Sequence, residues 1–376
     1  MTAAQIDQMI ARELPTLPPS VAVAGKDWKA NVPSLTPPKL TPGDTDLLEL
    51  AIGTSAPVRC ALRRDLDAAS TATVFHSVFA DLGEGITVAS VKPEAVLLAG
   101  SVPVMTATTI YTVEKAETRA FGELKMAIGT LRRGVVVICN HDEPGYHKSF
   151  GEIVRRVVES LADGSAEAEV ELVAATLQNE PVGFSHSWKT RDEKGGDVYR
   201  SANALMIRRT PTELVYSDTY AEQTIKKQRV ESGVWAKVEN GDAASVIRYH
   251  HLKGSKYAYE GLLKKKKVEG TFDAGKAGLP LPHATEARLA KLMSKPEFSF
   301  EEREYTPSLS LDALSVTTYS RKAGDPLDRA RTTFEGLEAL EILNPDGSAR
   351  SLEMSLGTVS MQLKQLYRSG SGTAAR

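Results

Sequence analysis

Cysteine, tryptophan and long apolar runs are all scarce in this chain. Two cysteines, Cys60 and Cys139, occur in 376 residues, too few for a disulfide framework and without the paired spacing of a zinc site. They lead us to expect a reducing compartment. Aromatic residues make up 6% of the chain and only three are tryptophan, which argues against a carbohydrate-stacking groove. No segment approaches the ~18 consecutive apolar residues of a membrane-spanning helix, so no membrane span is expected. The first fourteen residues are broken by Asp7, Arg12 and Glu13 and lack the apolar core of a secretory signal. Missing too are a phosphate loop ending in Lys-Ser/Thr, a Gly-x-Ser-x-Gly elbow, a His-Glu-x-x-His pair and a Cys-x-x-Cys. Gly83-Glu84-Gly85 lacks the third glycine of a dinucleotide fingerprint and precedes a strand rather than a helix. No metal, cofactor or catalytic residue is therefore assigned.

What the chain does contain is ordinary for a soluble protein: 41% apolar and 25% charged residues, with a net charge of −2. So low a charge does not keep copies apart, and self-association is permitted. The length suits two or three structural units. Seven of the nineteen prolines fall between Pro15 and Pro42, which marks 1–43 as an extended arm. Residues 44–200 read as a mixed α/β core. It opens with a short helix around Leu47 and Leu48, followed by Val/Ile/Thr-rich strands at 58–62, 73–79, 86–91, 95–98 and 102–113. Phe121, Leu124, Ile128 and Leu131 recur at helical spacing, predicting a helix over 114–132 that ends at Gly134. Val135 to Cys139 is a doubly covered strand, and Phe150, Ile153, Val154, Val157 and Leu161 predict a second helix ending at Asp163-Gly164. Residues 201–295 form a basic region with helices, and 296–368 a pair of β segments followed by two helices. The first of these starts at Asp325-Pro326; the second carries Leu352, Leu356, Val359, Leu363 and Leu366 as an association seam. Asn344 to Gly347 is a turn, and 369–376 a small-residue tail. The expected class is α+β, with a β-rich N-terminal half, an embedded helix–strand–helix unit and a C-terminal helical pair.

Charge is concentrated in 226–267, where eleven Lys or Arg face four acids, a local +7. Lys226, Lys227 and Arg229 are explained as cations at a helix C-terminus. The remaining excess sits on an expected helix at 255–267. Arg248, Lys253, Lys256, Lys264, Lys265, Lys266 and Lys267 are the expected phosphate contacts, with Tyr257 or Trp235 stacking on bases. A cationic surface with interleaved aromatic rings is the means by which single strands are held. The reading is a self-assembling nucleic-acid-binding structural protein of viral type, a capsid, nucleocapsid or transport protein, with RNA favoured. It would be a homo-oligomer in the cytoplasm or a virion.

A second reading centres on the turn Asn140-His141-Asp142-Glu143-Pro144-Gly145-Tyr146-His147, at the carboxyl end of the Val135–Cys139 strand. Its two histidines and two carboxylates are metal-ligand or acid/base types. Asn-His-Asp after an apolar strand resembles one block of the calcineurin-like metallophosphoesterases, although Cys139 stands in place of that family's glycine. The resemblance implies a metal-dependent phosphoester hydrolase. The family's Asp-x-His and Gly-His-x-His blocks have no counterpart here.

Overall fold

A computed structural model describes residues 3–64, 71–80, 82–115, 118–131, 135–162, 169–192 and 195–369. Gly134, Asp163-Gly164 and the tail beyond Ser369 lie outside them. The protein is mostly β, 59% strand and 11% helix, which overturns the expected α+β class and its C-terminal helical pair. It divides into two compact units, one of Met1–Ser165, Pro181–Gly183 and Ala204–Asp218, the other of Ala166–Glu180, Phe184–Asn203 and Thr219–Arg376.

The first unit contains helix α1 (Ala3–Ile10), the hairpin β1 (Ser20–Ala24) and β2 (Lys29–Pro33), and strands β3 (Lys39–Thr41), β4 (Asp46–Leu50) and β5 (Val58–Arg63). Helix α2 (Thr71–Ala80) is followed by β6 (Ile86–Ala99), β7 (Val102–Lys115), β8 (Thr118–Leu131), β9 (Val135–His141) and α3 (His147–Leu161). Strands β3 to β9 make one antiparallel sheet in the order β3-β4-β5-β9-β8-β7-β6. The proline-rich segment is thus not a free arm: it supplies β1, β2 and β3, with Val32 fully buried. The helix expected at 114–132 is β8, and the strand expected at 73–79 is α2. In β8 three consecutive residues, Met126, Ala127 and Ile128, are all fully buried. A strand covered on both faces has no alternation to betray it. The second expected helix is present as α3, whose Ile153, Val154, Val157 and Val158 are fully buried in the core with Val104, Ala127 and Val137.

Helices α2 and α3 each donate hydrogen bonds at their first turn to a carboxylate remote in sequence. Glu13 accepts hydrogen bonds from Lys148 N (2.9 Å), Ser149 N (2.8 Å) and Ser149 Oγ (2.5 Å) at the start of α3. Asp218 accepts from Ala72 N (2.9 Å), Thr73 N (2.7 Å) and Thr73 Oγ1 (2.7 Å) at the start of α2. Each carboxylate satisfies orphan helix donors and opposes the positive end of the dipole from more than a hundred residues away. Cys60 and Cys139 are cross-strand partners on β5 and β9 and form a disulfide. Too few for a framework, the two cysteines still make one bond, and the inference of a reducing compartment loses its support.

Fourteen strands follow: β10 (Val170–Leu177), β11 (Glu180–Arg191), β12 (Asp197–Thr210), β13 (Glu213–Lys226), β14 (Arg229–Glu239), β15 (Asp242–Lys253), β16 (Lys256–Leu263) and β17 (Lys266–Asp273). After helix α4 (Ala284–Leu292) come β18 (Phe298–Glu304), β19 (Ser315–Arg321), β20 (Arg329–Phe334), β21 (Leu337–Leu343), β22 (Ala349–Leu356) and β23 (Val359–Ser369). Their order is β17-β16-β15-β14-β13-β12-β11-β10-β23-β22-β21-β20-β19-β18. The two expected C-terminal helices are the hairpins β20–β21 and β22–β23, in register Phe334↔Leu337 and Leu356↔Val359. The Asp325-Pro326 start is a turn closed by Arg329 N to Pro326 O (3.1 Å). The expected helix at 255–267 is strand β16 and its turns.

Within the second unit, Tyr249, Tyr257, Tyr259 and Phe272 pack with Tyr305, Leu279 and Leu281. Two of these tyrosines lie over cross-strand glycines, where a Cβ would collide with the ring: Gly233 beneath Tyr249 and Gly270 beneath Tyr259. The ring therefore replaces the missing side chain, the way sheets tolerate an internal glycine. Leu289 of α4 is buried with Phe300, Ala330 and Leu343. The turn at 344–347, expected from sequence, packs so closely on α4 that a Cβ on Gly347 (φ 82°) would collide with Glu286 O.

Candidate functional site

The basic residues singled out by sequence do not form one surface. Lys253 and Lys256 are register partners at the β15–β16 turn. Lys264 and Lys265 form the β16–β17 turn, both with positive φ (48° and 66°), and Lys266 and Lys267 open β17. The eight residues of β16 separate the two turns by about 26 Å at the usual strand rise. Arg248 is exposed midway along β15, in register with Glu260. Lys265 pairs with Asp242 (3.2 Å), and Lys267 lies 3.9 Å from Glu269. Tyr257 cannot meet a base: it is 1% exposed, stacks on Phe272 at 5.2 Å and donates its hydroxyl to Val230 O (2.8 Å). Trp235 packs against the same core.

The His141 turn lies in the first unit, over the end of the β8–β9 pair. His141 is fully buried, with Nε2 3.4 Å from Thr54 Oγ1 and its ring stacked on Phe150. Burial and the neighbouring Lys125 charge push its pKa down to about 4, so the ring is neutral. Two residues with no signal in the sequence pattern complete the cluster. Glu123 and Lys125, on the same face of β8, are 0% and 1% exposed and lie 3.5 Å apart. Lys125 Nζ donates to Glu143 O (2.5 Å), and Glu123 Oε2 accepts from Gly145 N (2.7 Å). His147 Nε2 comes within 2.8 Å of Glu123 Oε1. Burial lowers the pKa of Lys125. For Glu123 burial acts upward, yet the His147, Lys125 and Gly145 contacts outweigh it and hold the carboxyl below its ordinary value. Asp142 is half exposed beside Arg59, and Glu143 is bound by Ser55 N and Oγ (both 2.7 Å). The turn is closed over by the N-terminal segment. Tyr146 N donates to Arg12 O (2.6 Å), Arg12 Nη2 donates to Pro144 O (3.0 Å), and a Cβ on Gly145 (φ 87°) would lie 2.5 Å from Met9 O. Among the described residues no cluster of His, Cys, Asp and Glu has the geometry to hold a metal. The arrangement braces a loop rather than presenting one.

The second unit has an open groove of about 670 Å³, lined by Arg191, Gly195–Gly196, Asp197, Tyr199, Ile225, Lys226, Lys227, Gln228, Leu281 and Pro282. Lys226 ends β13, while Lys227 and Gln228 are the β13–β14 turn, with φ of 48° and 58°. They are not the end of a helix, and the dipole explanation for these cations falls away. Arg191, Lys226 and Lys227 are exposed on the rim, whereas Tyr199 and Ile225 are half-buried.

Behind Tyr199 runs a continuous polar network. Lys189 Nζ lies 3.1 Å from Asp197, 3.3 Å from Glu169 and 5.0 Å above the Tyr199 ring. His283 meets the same ring edge-on and contacts Glu169 (3.4 Å) and Glu286 (3.0 Å). Glu286 pairs with Arg368, which also reaches Glu171 (3.1 Å) and Asp346 (3.4 Å). Burial opposes ionisation of Glu286, but His283 and Arg368 overcome it and pull its pKa to about 2. The hydrogen bond to Glu286 raises the pKa of His283. Lys189, Glu169, His283 and Glu286 are each held by at least two partners, so the Tyr199 wall is preorganised. A ring on a fixed base in a groove with three exposed cations suits a ligand that is both planar and anionic.

No family model matches the chain, and no curated protein matches it. Among solved structures, a β-barrel-like protein of a domain of unknown function from Brucella abortus aligns with a TM-score of 0.40 and 12% identity, over 54% of this chain and 96% of that one. Among the described residues no helix is long and apolar enough to cross a membrane.

Proposed function

We propose that the second unit binds single-stranded nucleic acid, RNA favoured, seated in the groove at the β13–β14 turn. The observation that carries this reading is the conjunction of Arg191, Lys226 and Lys227 with the braced Tyr199 ring in one groove. The cations meet phosphates, and Tyr199, flanked by Ile225 and Leu281, receives a base. The turn lysines at 253–256 and 264–267 lie on other hairpin ends and act at most as long-range attraction.

Fluorescence anisotropy with a labelled oligouridine tests the assignment. Lys226→Glu with Lys227→Glu is expected to weaken binding and to lower the slope of log K against log salt by about 0.7 for each phosphate left without its cation. Tyr199→Ala removes a stacking contribution of about 1–3 kcal/mol. Wild-type affinity in both variants, or no binding by the wild type, refutes the groove as the seat.

A further inference from the structure

Among the described residues the fourteen-stranded sheet has two edges, β17 and β18, each paired on one side only. A long edge strand offers unpaired N–H and C=O groups to another chain. We infer that β17 of one copy pairs with β18 of a second copy, so that the chain assembles head to tail.

Strand direction comes first. The sheet is built of hairpins plus the antiparallel β10–β23 pair, and an even number of alternating strands leaves its two edges running in opposite directions. A second copy placed beside β17 in the same orientation therefore offers β18 antiparallel, and the alternation continues across the junction.

Charge and face then fix the register. In β18 Glu301 and Glu304 are exposed, and Glu302 is half-buried. In the β16–β17 turn and β17, Lys264, Lys265, Lys266 and Lys267 are all exposed. Among the described residues Lys264 and Lys266 have no carboxylate partner, and Glu301 and Glu304 have no cation. Setting Lys267 opposite Glu301 also sets Lys266 opposite Glu302 and brings the β16–β17 turn, with Lys264, to the Glu304 end of β18. The same register brings Val268 opposite Phe300. Phe300 and Phe272 are buried, and since side chains alternate along a strand, Val268 and Phe300 both belong to the core-facing rows. A slip of one residue would turn these rows to opposite faces. Opposite charges directly across an antiparallel pair are favourable, and like charges are not. Because the contact joins two different surfaces, it propagates as a ring or filament rather than closing as a two-fold dimer. This inference is independent of the groove.

Light scattering on the full-length protein after size exclusion tests it, over rising concentration at low and high salt. The wild type is expected to gain mass with concentration, and to lose that gain at high salt. K264E/K267E and E301K/E304K, each an exposed pair, should each remain monomeric while keeping the wild-type circular dichroism. Mixing the two variants, or combining all four substitutions in one chain, restores opposite charges across a junction and should restore the mass gain. A wild type that stays monomeric at every concentration overturns the proposal and leaves the lysines as guards against edge pairing. Assembly that persists in both variants, or that mixing fails to rescue, overturns it equally.

Discussion

The two units handle charge in opposite ways. The first sinks a carboxylate, an ammonium and an imidazole (Glu123, Lys125, His141) into fully buried positions beneath a turn. The second strings Lys189, Glu169, His283, Glu286 and Arg368 through positions that remain 16–33% exposed. Buried ions have no water to fall back on, so the first cluster is all or nothing, whereas the second degrades gradually. Lys125→Met should break the contrast most violently. It leaves Glu123 without its cation and Glu143 O without a donor, and removal of one member of a buried pair costs about 3–5 kcal/mol. Trp28 lies in the first unit and Trp188 and Trp235 in the second. Urea unfolding followed by the fluorescence of Trp28 alone, in a Trp188→Phe/Trp235→Phe background, should show the loss. The complementary Trp28→Phe protein should not.

Acid sharpens the same contrast with a smaller effect. The His141 pKa is depressed to about 4 by burial and by Lys125, against the partial pull of a backbone hydrogen bond to Ala56 and of the Glu143 and Asp142 charges. The unfolded chain, with an ordinary histidine near 6.5, therefore binds more protons between these values. Stability conferred by the neutral ring is fully present above pH 6.5 and declines as pH falls to about 4, by about 3 kcal/mol. The depressed carboxyls Glu13, Glu123 and Glu143 add their losses lower still, so the upper part of the window belongs to His141. Denaturant midpoints of the first unit should fall through that window. A flat profile there would mean that the ring is accessible to solvent.

These two clusters also show what the sequence conveys. The doubly covered strand β9, the helix α3 and the turn at 344–347 are legible because each is coded locally, by an apolar run, a 3–4 spacing and Asn-Pro-Asp-Gly. Strand β8 is not, because Phe121, Leu124, Ile128 and Leu131 mimic a helix once Glu123 and Lys125 occupy core positions. Hairpin turns are hidden for another reason. Gln178-Asn179, Lys227-Gln228 and Lys264-Lys265 all hold positive φ, the geometry of the two-residue turns that suit twisted strands and usually carry Asn-Gly. Here the register of long strands imposes that conformation on lysine and glutamine, at about 1–2 kcal/mol for each residue. A run of four lysines therefore reads as a helix face, although Leu263 and Val268 flank a turn. The groove is invisible for the same reason: Lys226 and Lys227 look like a helix end until β13 and β14 pair. The remote caps Glu13 and Asp218 have no local signature at all.

The smallest effect in the set carries the opposite sign. The His283 pKa is raised, chiefly by its hydrogen bond to Glu286 and further by Glu169, against burial and the Arg368 charge. A raised histidine contributes stability that is fully present below the unfolded value near 6.5 and is lost as pH climbs through the folded pKa. The second unit should therefore weaken slightly with rising pH over the range in which the first has already reached its plateau. The pair is partly exposed, which limits the effect to about 1 kcal/mol. His283→Gln keeps a donor toward Glu286 and should flatten the alkaline decline of the Trp188 and Trp235 signal without touching the acid decline of Trp28. A decline that survives the substitution would move its origin elsewhere in the network, and the two units would then share one sign of pH response.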